Sequence, residues 1–173
     1  METALIKRWT VEEFLAWEDR QEGRHEFDGE RIIAMTGGSV AHQKIVFNLV
    51  RTLLHLLDPA AFDAVFEMRV RLAGWIRYPD VLVYPGHLDH ALKILADAIV
   101  IFEVLSDVTA RIDRLDKLQE YRLLPSLRRY VLLEQVTPRA VTFARDASWQ
   151  EQVVIDGVLA MLEIGVDLPM ADL

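Results

Sequence analysis

The sequence predicts an α/β (α+β) fold built on a mixed β-sheet flanked by helices, and three observations carry that prediction. Residues 39–135 read in order as helix, three strands, helix, strand; three consecutive strands exclude a doubly wound sheet of strict βαβ units. The segment Ala98-Ile99-Val100-Ile101-Phe102 is apolar at every position, as a central strand covered on both faces must be. The 173 residues contain no internal repeat, no low-complexity tract and no linker rich in Pro, Gly or Ser. That length is enough for one domain over residues 1–173 with a full core.

The elements follow in chain order. Thr10 and Glu13 have capping-box spacing and open a helix that runs to about Arg20. Asp28-Gly29 stands between His25-Glu26-Phe27 and Arg31-Ile32-Ile33-Ala34-Met35, a hairpin signal with the dipeptide that a type I′ turn prefers. After Gly37-Gly38, Ser39 caps a helix whose apolar set Val46, Leu49, Val50, Leu53, Leu54 and Leu57 predicts one buried face. Asp58-Pro59 ends it. Phe66, Met68, Val70 and Leu72 alternate with Glu67, Arg69 and Arg71, which predicts a half-buried strand. Ala73-Gly74 turns the chain into a second strand, Ile76 to Tyr84, that contains Pro79. The apolar strand at Ala98–Phe102 comes next. A helix over about Ile112–Leu124 then carries Ile112, Leu115, Leu118 and Tyr121 on one side, and a strand follows at Arg129–Glu134. Ala140–Arg145, Glu151–Ile155 and Leu159–Ile164 read as a C-terminal antiparallel meander, turned at Asp146–Ser148 and Asp156-Gly157.

Composition narrows the function. With 19 Lys plus Arg against 27 Asp plus Glu, the formal charge is −8, which argues against non-specific coating of nucleic acid. The charge is uneven: nine acids and four bases fall in residues 1–30. Between residues 105 and 130 the balance reverses, with Arg111, Arg114, Lys117, Arg122, Arg128 and Arg129 against Asp107, Asp113, Asp116 and Glu120, which allows a local basic strip. There is no cysteine, hence no disulfide framework, thiolate metal site or thiol nucleophile. No apolar run approaches the ~20 residues of a membrane span, and residues 2–13 lack the apolar core of a secretion signal. A cytoplasmic protein is expected.

Two acids interrupt apolar strands. Asp80 follows Pro79 inside Ile76–Tyr84, and Glu103 follows five apolar residues. A carboxylate in such a place is costly unless a cation pairs with it or binds it. Two carboxylates on neighbouring strands suit a hard divalent cation such as Mg²⁺; equally, each acid can end a strand facing water or pair with an arginine such as Arg77. Lys117 lies four residues from Asp113, so it reads either as half of a solvated i,i+4 pair or as a charge aimed at Asp80 and Glu103. His42, on the first turn of its helix, and Glu26, ahead of the Asp-Gly turn, each have an ordinary surface or core reading. No His-x-x-x-His pair, phosphate loop or Gly-x-Ser-x-Gly elbow occurs.

Taken together, Pro79-Asp80, Glu103-Val104-Leu105-Ser106 and Asp113-x-x-x-Lys117-x-x-x-Tyr121 resemble the active-site pattern of a large bacterial restriction endonuclease family within the PD-(D/E)XK nuclease superfamily. His25-Glu26-Phe27-Asp28-Gly29-Glu30 and Gly37-Gly38-Ser39-x-x-His42 are similar to that family's start, and the likeness covers roughly residues 10–170. The resemblance implies a restriction endonuclease-like core with an added N-terminal hairpin and the C-terminal meander. It implies Mg²⁺ (or Mn²⁺) held by Asp80, Glu103 and the Val104 carbonyl, Lys117 as the catalytic lysine, and Glu26 and His42 as further metal or phosphate contacts. One departure stands out: the superfamily lysine normally stands two residues after the second acid, where this chain has Leu105. Lys117 takes its place only if the following helix packs across the strand ends.

The expectation is a Mg²⁺-dependent endonuclease with DNA as substrate. The alternative is a catalytically inactive nuclease-fold module for binding or assembly, which the acidic charge favours; a small-molecule hydrolase is a third option. A meander at the chain end leaves a sheet edge to cover, so a homodimer is expected, with no membrane partner.

Overall fold

A computed structural model describes residues 9–105 and 117–173. Ser106, Arg111, Asp113, Arg114 and the first part of the helix expected over Ile112–Leu124 lie outside the described residues. The chain runs through α1 (Val11–Glu18), β1 (His25–Phe27), β2 (Ile32–Ala34), α2 (Val40–Leu56) and β3 (Phe62–Phe66). It continues through β4 (Arg69–Arg71), β5 (Ile76–Arg77), β6 (Val81–Pro85), β7 (Ile94–Leu95), β8 (Val100–Leu105) and a short α3 (Leu118–Tyr121). The last strands are β9 (Arg129–Glu134), β10 (Arg139–Ala144), β11 (Glu151–Ile155), β12 (Val158–Met161) and β13 (Val166–Pro169).

Six strands form the central sheet in the order β11-β10-β9-β8-β6-β3. β8 and β9 run parallel, from Val100 opposite Arg129 to Leu105 opposite Glu134, and the remaining pairs are antiparallel. The sheet is therefore mixed, as the three consecutive strands predict. β8 is its middle: Val100, Ile101 and Phe102 are fully buried. Val100, Phe102 and Val104 pack with Val46, Leu49 and Leu53 of α2 on one face. Ile101 packs with Tyr121, Leu124, Leu127 and Tyr130 on the other. A second sheet, β2-β1-β5-β4-β7, is closed by α1, whose Phe14 ring stacks on Phe27 at 5.3 Å. The starts of α1 and α2 are capped as expected. Thr10 and Glu13 form the full capping box, and the Ser39 side chain accepts from the His42 N–H.

The two strands expected at Phe66–Leu72 and Ile76–Tyr84 are each divided between the two sheets. The pairing register nevertheless runs on unbroken: Phe66 faces Val81 in the central sheet and Val70 faces Arg77 in the second. One bent hairpin thus joins the sheets, with Glu67 opposite Asp80 at the bend. Pro79 has no N–H to continue a ladder, and Glu67 takes a left-handed conformation with φ of 50°. The Glu67 N–H donates to the Asp80 carbonyl at 3.1 Å and holds the bend. Alternation of apolar residues does not register such a bend, because both halves keep the same period. Phe66 falls at the break and is exposed.

Three further expectations are corrected. The Asp28-Gly29 turn is a four-residue connection and not a two-residue type I′ turn, since Phe27 pairs with Ile32. Only Gly29 has positive φ there, and Asp28 Oδ1 accepts from the N–H groups of Glu30 and Arg31. Leu54 is exposed, unlike Leu53; α2 is covered along a narrower stripe than its apolar residues suggest. Finally, the C-terminal meander stops at β11. Asp156 and Gly157, both at positive φ, turn the chain off the sheet, and β12 pairs with β13 in a separate hairpin. That hairpin buries Leu159, Met161, Val166 and Leu168 against the α2 side of the sheet.

The stripe on α2 predicts opposite outcomes for two adjacent leucines. Leu53→Ala opens a cavity and lowers unfolding free energy by about 2–5 kcal/mol, whereas Leu54→Ala changes it by at most about 0.5 kcal/mol. Urea denaturation of the two variants measures both.

Candidate active site

The site forms where β6 leaves β8. Val81 is the last residue of β6 to pair, with Phe102, so Asp80 comes opposite Glu103 one step further on. The Val104 N–H, left without a strand partner on that side, donates to Asp80 Oδ2 at 2.6 Å. The N–H and C=O of one strand residue point to the same side, so the Val104 carbonyl lies on the edge of β8 from which its N–H reaches Asp80. His42, on the first turn of α2, places Nε2 3.1 Å from the same Oδ2. Ser39 and Gln135 tie this helix start to β8: Ser39 Oγ donates to Gln135 Oε1, and Gln135 Nε2 donates to the Leu105 carbonyl, both at 2.9 Å.

Glu103 is buried and faces α3. Its Oε1 accepts from Lys117 Nζ at 3.0 Å and from the Tyr121 hydroxyl at 3.1 Å. Burial, followed by the fields of Glu103 and Glu26, pushes the Tyr121 phenol well above its ordinary range, so it donates to the carboxylate. Lys117 Nζ also lies 3.8 Å from Glu26 Oε1. Glu26 itself accepts from Arg77 at 3.0 Å and from the Tyr78 N–H at 3.1 Å. Arg77 forks onto Glu120 of α3 through two bonds of 2.7 Å.

Five of the expected site residues and Val104 thus fall into two adjoining groups: Asp80, His42 and Val104, then Glu103, Lys117 and Glu26. The Glu103–Val104 peptide joins them. The lysine that the resemblance places on the helix is largely buried and bonded to Glu103, so α3 does pack across the strand. Arg77, offered as a partner for the strand acids, pairs instead with Glu26 and Glu120. The sequence does not mark Glu120 or Glu67; Tyr121 belongs both to the apolar helix face and to the motif with Asp113 and Lys117, but neither assigns its hydroxyl to Glu103. Arg129, counted in the basic strip, is buried and paired with Glu163, with Arg129 Nη2 3.1 Å from Oε2.

The donors are hard oxygens. Among the described residues no group of three or more His, Cys, Asp or Glu side chains is arranged to hold a metal ion. A divalent cation here would rest on two carboxylates and one main-chain carbonyl. That set fits Mg²⁺, which keeps several of its waters.

His42 is the titrating member. Its hydrogen bond with Asp80 raises the imidazole above its ordinary 6.5 against the opposing effect of burial, and the charges of Asp80 and Glu67 add to the rise. A raised folded-state value stabilises the fold fully below the unfolded value, and that contribution fades as pH climbs through the folded one. In metal-free buffer, denaturation of wild type and His42→Gln should differ most below pH 6.5 and converge at higher pH; a pH-independent difference would contradict the pair. Gly38 tests the same contact sterically, because a Cβ there would lie 2.6 Å from His42 Nδ1. Gly38→Ala should displace the ring and show the same pH profile as His42→Gln.

The mixed central sheet and its flanking helices define a restriction endonuclease-like fold. The chain belongs to the family Uma2, described as "Putative restriction endonuclease", whose model matches residues 11–171. It is 32% identical over 157 residues to the uncharacterized protein sll1609 of Synechocystis sp., covering 86% of this chain and 89% of that protein. A second Synechocystis protein, slr1290, also uncharacterized, is 30% identical over 139 residues, or 78% of this chain and 73% of its own. A crystal structure described as a "putative nuclease" from Anabaena variabilis shares the fold with a TM-score of 0.76 at 17% identity, covering 95% of this chain and 96% of that one. The expected family and fold class are both borne out.

Proposed function

We propose that the protein is a Mg²⁺-dependent (or Mn²⁺-dependent) endonuclease that hydrolyses phosphodiester bonds in DNA. The supporting observation is the sharing of one peptide: Asp80 is bonded to the Val104 N–H, and Glu103, one residue back, is bonded to Lys117. Asp80, Glu103 and the Val104 carbonyl would hold the cation, which when bound neutralises phosphate charge and acidifies a water.

The remaining work falls to the chain's own side chains. Lys117 brings a buried positive charge beside Glu103, where it stabilises charge that develops on a phosphate at the site. Tyr121 holds Glu103 by its hydroxyl and fixes the carboxylate's direction. His42 does the same for Asp80. Both oxygens of Glu26 are already engaged, by Arg77 and by Tyr78, so we assign it to holding the Lys117 side of the site and not to the cation. Of the described bases between 117 and 129, Arg122 and Arg128 are exposed and available to a phosphate backbone. The edge strand β11 exposes Val153 and Ile155, and we assign it to a homodimer contact, because such edges are usually paired or covered. Among the described residues no helix is long and apolar enough to cross a membrane.

Titration calorimetry and a cleavage assay test the assignment together. Wild type should bind Mn²⁺, and Asp80→Asn should lose the binding signal. Lys117→Ala should fold and bind the ion, yet cleave DNA about two to three orders of magnitude more slowly. Arg128→Ala should keep its rate at saturating DNA and change the salt dependence of binding. No heat and no cleavage in wild type would favour the inactive binding or assembly module. For the dimer, sedimentation at micromolar concentration should give twice the 19.9 kDa chain mass, and a monomer would contradict it.

A further inference from the structure

Lys117 stands between two buried carboxylates, with Nζ 3.0 Å from Glu103 Oε1 and 3.8 Å from Glu26 Oε1. Only one of these placements puts the ammonium beside the proposed catalytic acid. We propose that Arg77 is a positioning residue that decides between them: by occupying Glu26 it keeps Lys117 on Glu103.

The geometry is specific to an arginine. Nη1 donates to Glu26 Oε2 at 3.0 Å, while Nε and Nη2 donate to the two oxygens of Glu120 at 2.7 Å each. One planar group thereby neutralises the competing carboxylate and anchors α3 three residues beyond Lys117. An ammonium, as a point charge, supplies the first effect without the second. The guanidinium is itself buried. Burial works against its charge, but the bonds to Glu120 and the fields of Glu26 and Glu120 outweigh that and hold it ionised. Without Arg77, the Glu26 carboxylate keeps the Tyr78 N–H as its hydrogen bond, and a buried charge that has lost its bonded cation draws in the next one. Among the described residues that cation is Lys117, a small closure away.

This inference rests on the nuclease reading for its kinetic part alone. The experiment combines crystal structures with cleavage rates at saturating Mg²⁺ and DNA, below the melting temperature of every variant. In Arg77→Gln, Nζ should sit on Glu26 and kcat should fall by about 10²-fold, as an ångström-scale misplacement does, with KM within about twofold. In Arg77→Gln/Glu26→Gln the competing charge is gone, so Nζ should return to Glu103 and kcat should recover by at least about tenfold. An arginine serving stability alone would give no such recovery. Should Arg77→Gln not fold, Arg77→Lys takes its place: it keeps a cation on Glu26, so Nζ should stay on Glu103. Nζ remaining on Glu103 in Arg77→Gln, no recovery in the double variant, or Nζ on Glu26 in Arg77→Lys would each overturn the proposal. A wild type that cleaves no DNA would sink the nuclease reading instead, and the position of Nζ in the variants would still decide the role of Arg77.

Discussion

The Val104 N–H must be satisfied, and the way it is satisfied organises the site. A buried backbone donor without a partner costs as much as a lost hydrogen bond or more. In a regular ladder β6 would supply a carbonyl at this level. Here Pro79 interrupts the strand and the bend at Glu67 and Asp80 carries the chain into the second sheet, so the Asp80 carboxylate takes the donor at 2.6 Å. The acid is therefore held by the sheet itself. Its position next to the Glu103–Val104 peptide follows from register, since Val81 is paired with Phe102.

The opposite side of β8 shows how a buried carboxylate survives in an apolar strand. Glu103 is flanked by Phe102 and Val104, both buried, and desolvation of such a charge costs several kcal/mol unless it is paired and hydrogen-bonded. Lys117 supplies the charge and Tyr121 a second bond. Glu26 and Glu120 are balanced by Arg77 in the same way. These pairs join elements from β1, β5, β8 and α3 that are distant in sequence, so the cluster locks the second sheet against the central one. Breaking one such pair costs about 3–5 kcal/mol because a charge is left buried alone. The site and the junction between the sheets consequently share residues.

Much of this was legible in the residues. Asp80 and Glu103 announce themselves as carboxylates inside apolar runs, β8 as an uninterrupted apolar segment, and α1 and α2 by their caps. Lys117 is reached by resemblance; its spacing from Asp113 taken alone favours a solvated pair. What stayed hidden depends on contacts between distant segments. The division of two strands between sheets leaves the period-two pattern intact, so only the left-handed Glu67 and the lost N–H of Pro79 mark it. Arg77 adjoins the Tyr78-Pro79-Asp80 bend and looked like a partner for the strand acids, but β5 lies in the second sheet and aims it at Glu26 and Glu120. Tyr121 fits a helix face equally well as core or as hydroxyl donor. The C-terminal hairpin alternates just as a meander strand would, and its departure from the sheet is set by the positive φ at Asp156 and Gly157.

The central claim is that Asp80 and Glu103 serve one cation across the Glu103–Val104 peptide. Anomalous diffraction from a crystal soaked in Mn²⁺ tests it without recourse to any substrate. The account predicts a single Mn²⁺ peak about 2.2 Å from a carboxylate oxygen of each acid and from the Val104 carbonyl, with waters completing the sphere. A site that saturates with Mn²⁺ bound by only one of the two acids, or no peak beside either, would contradict it.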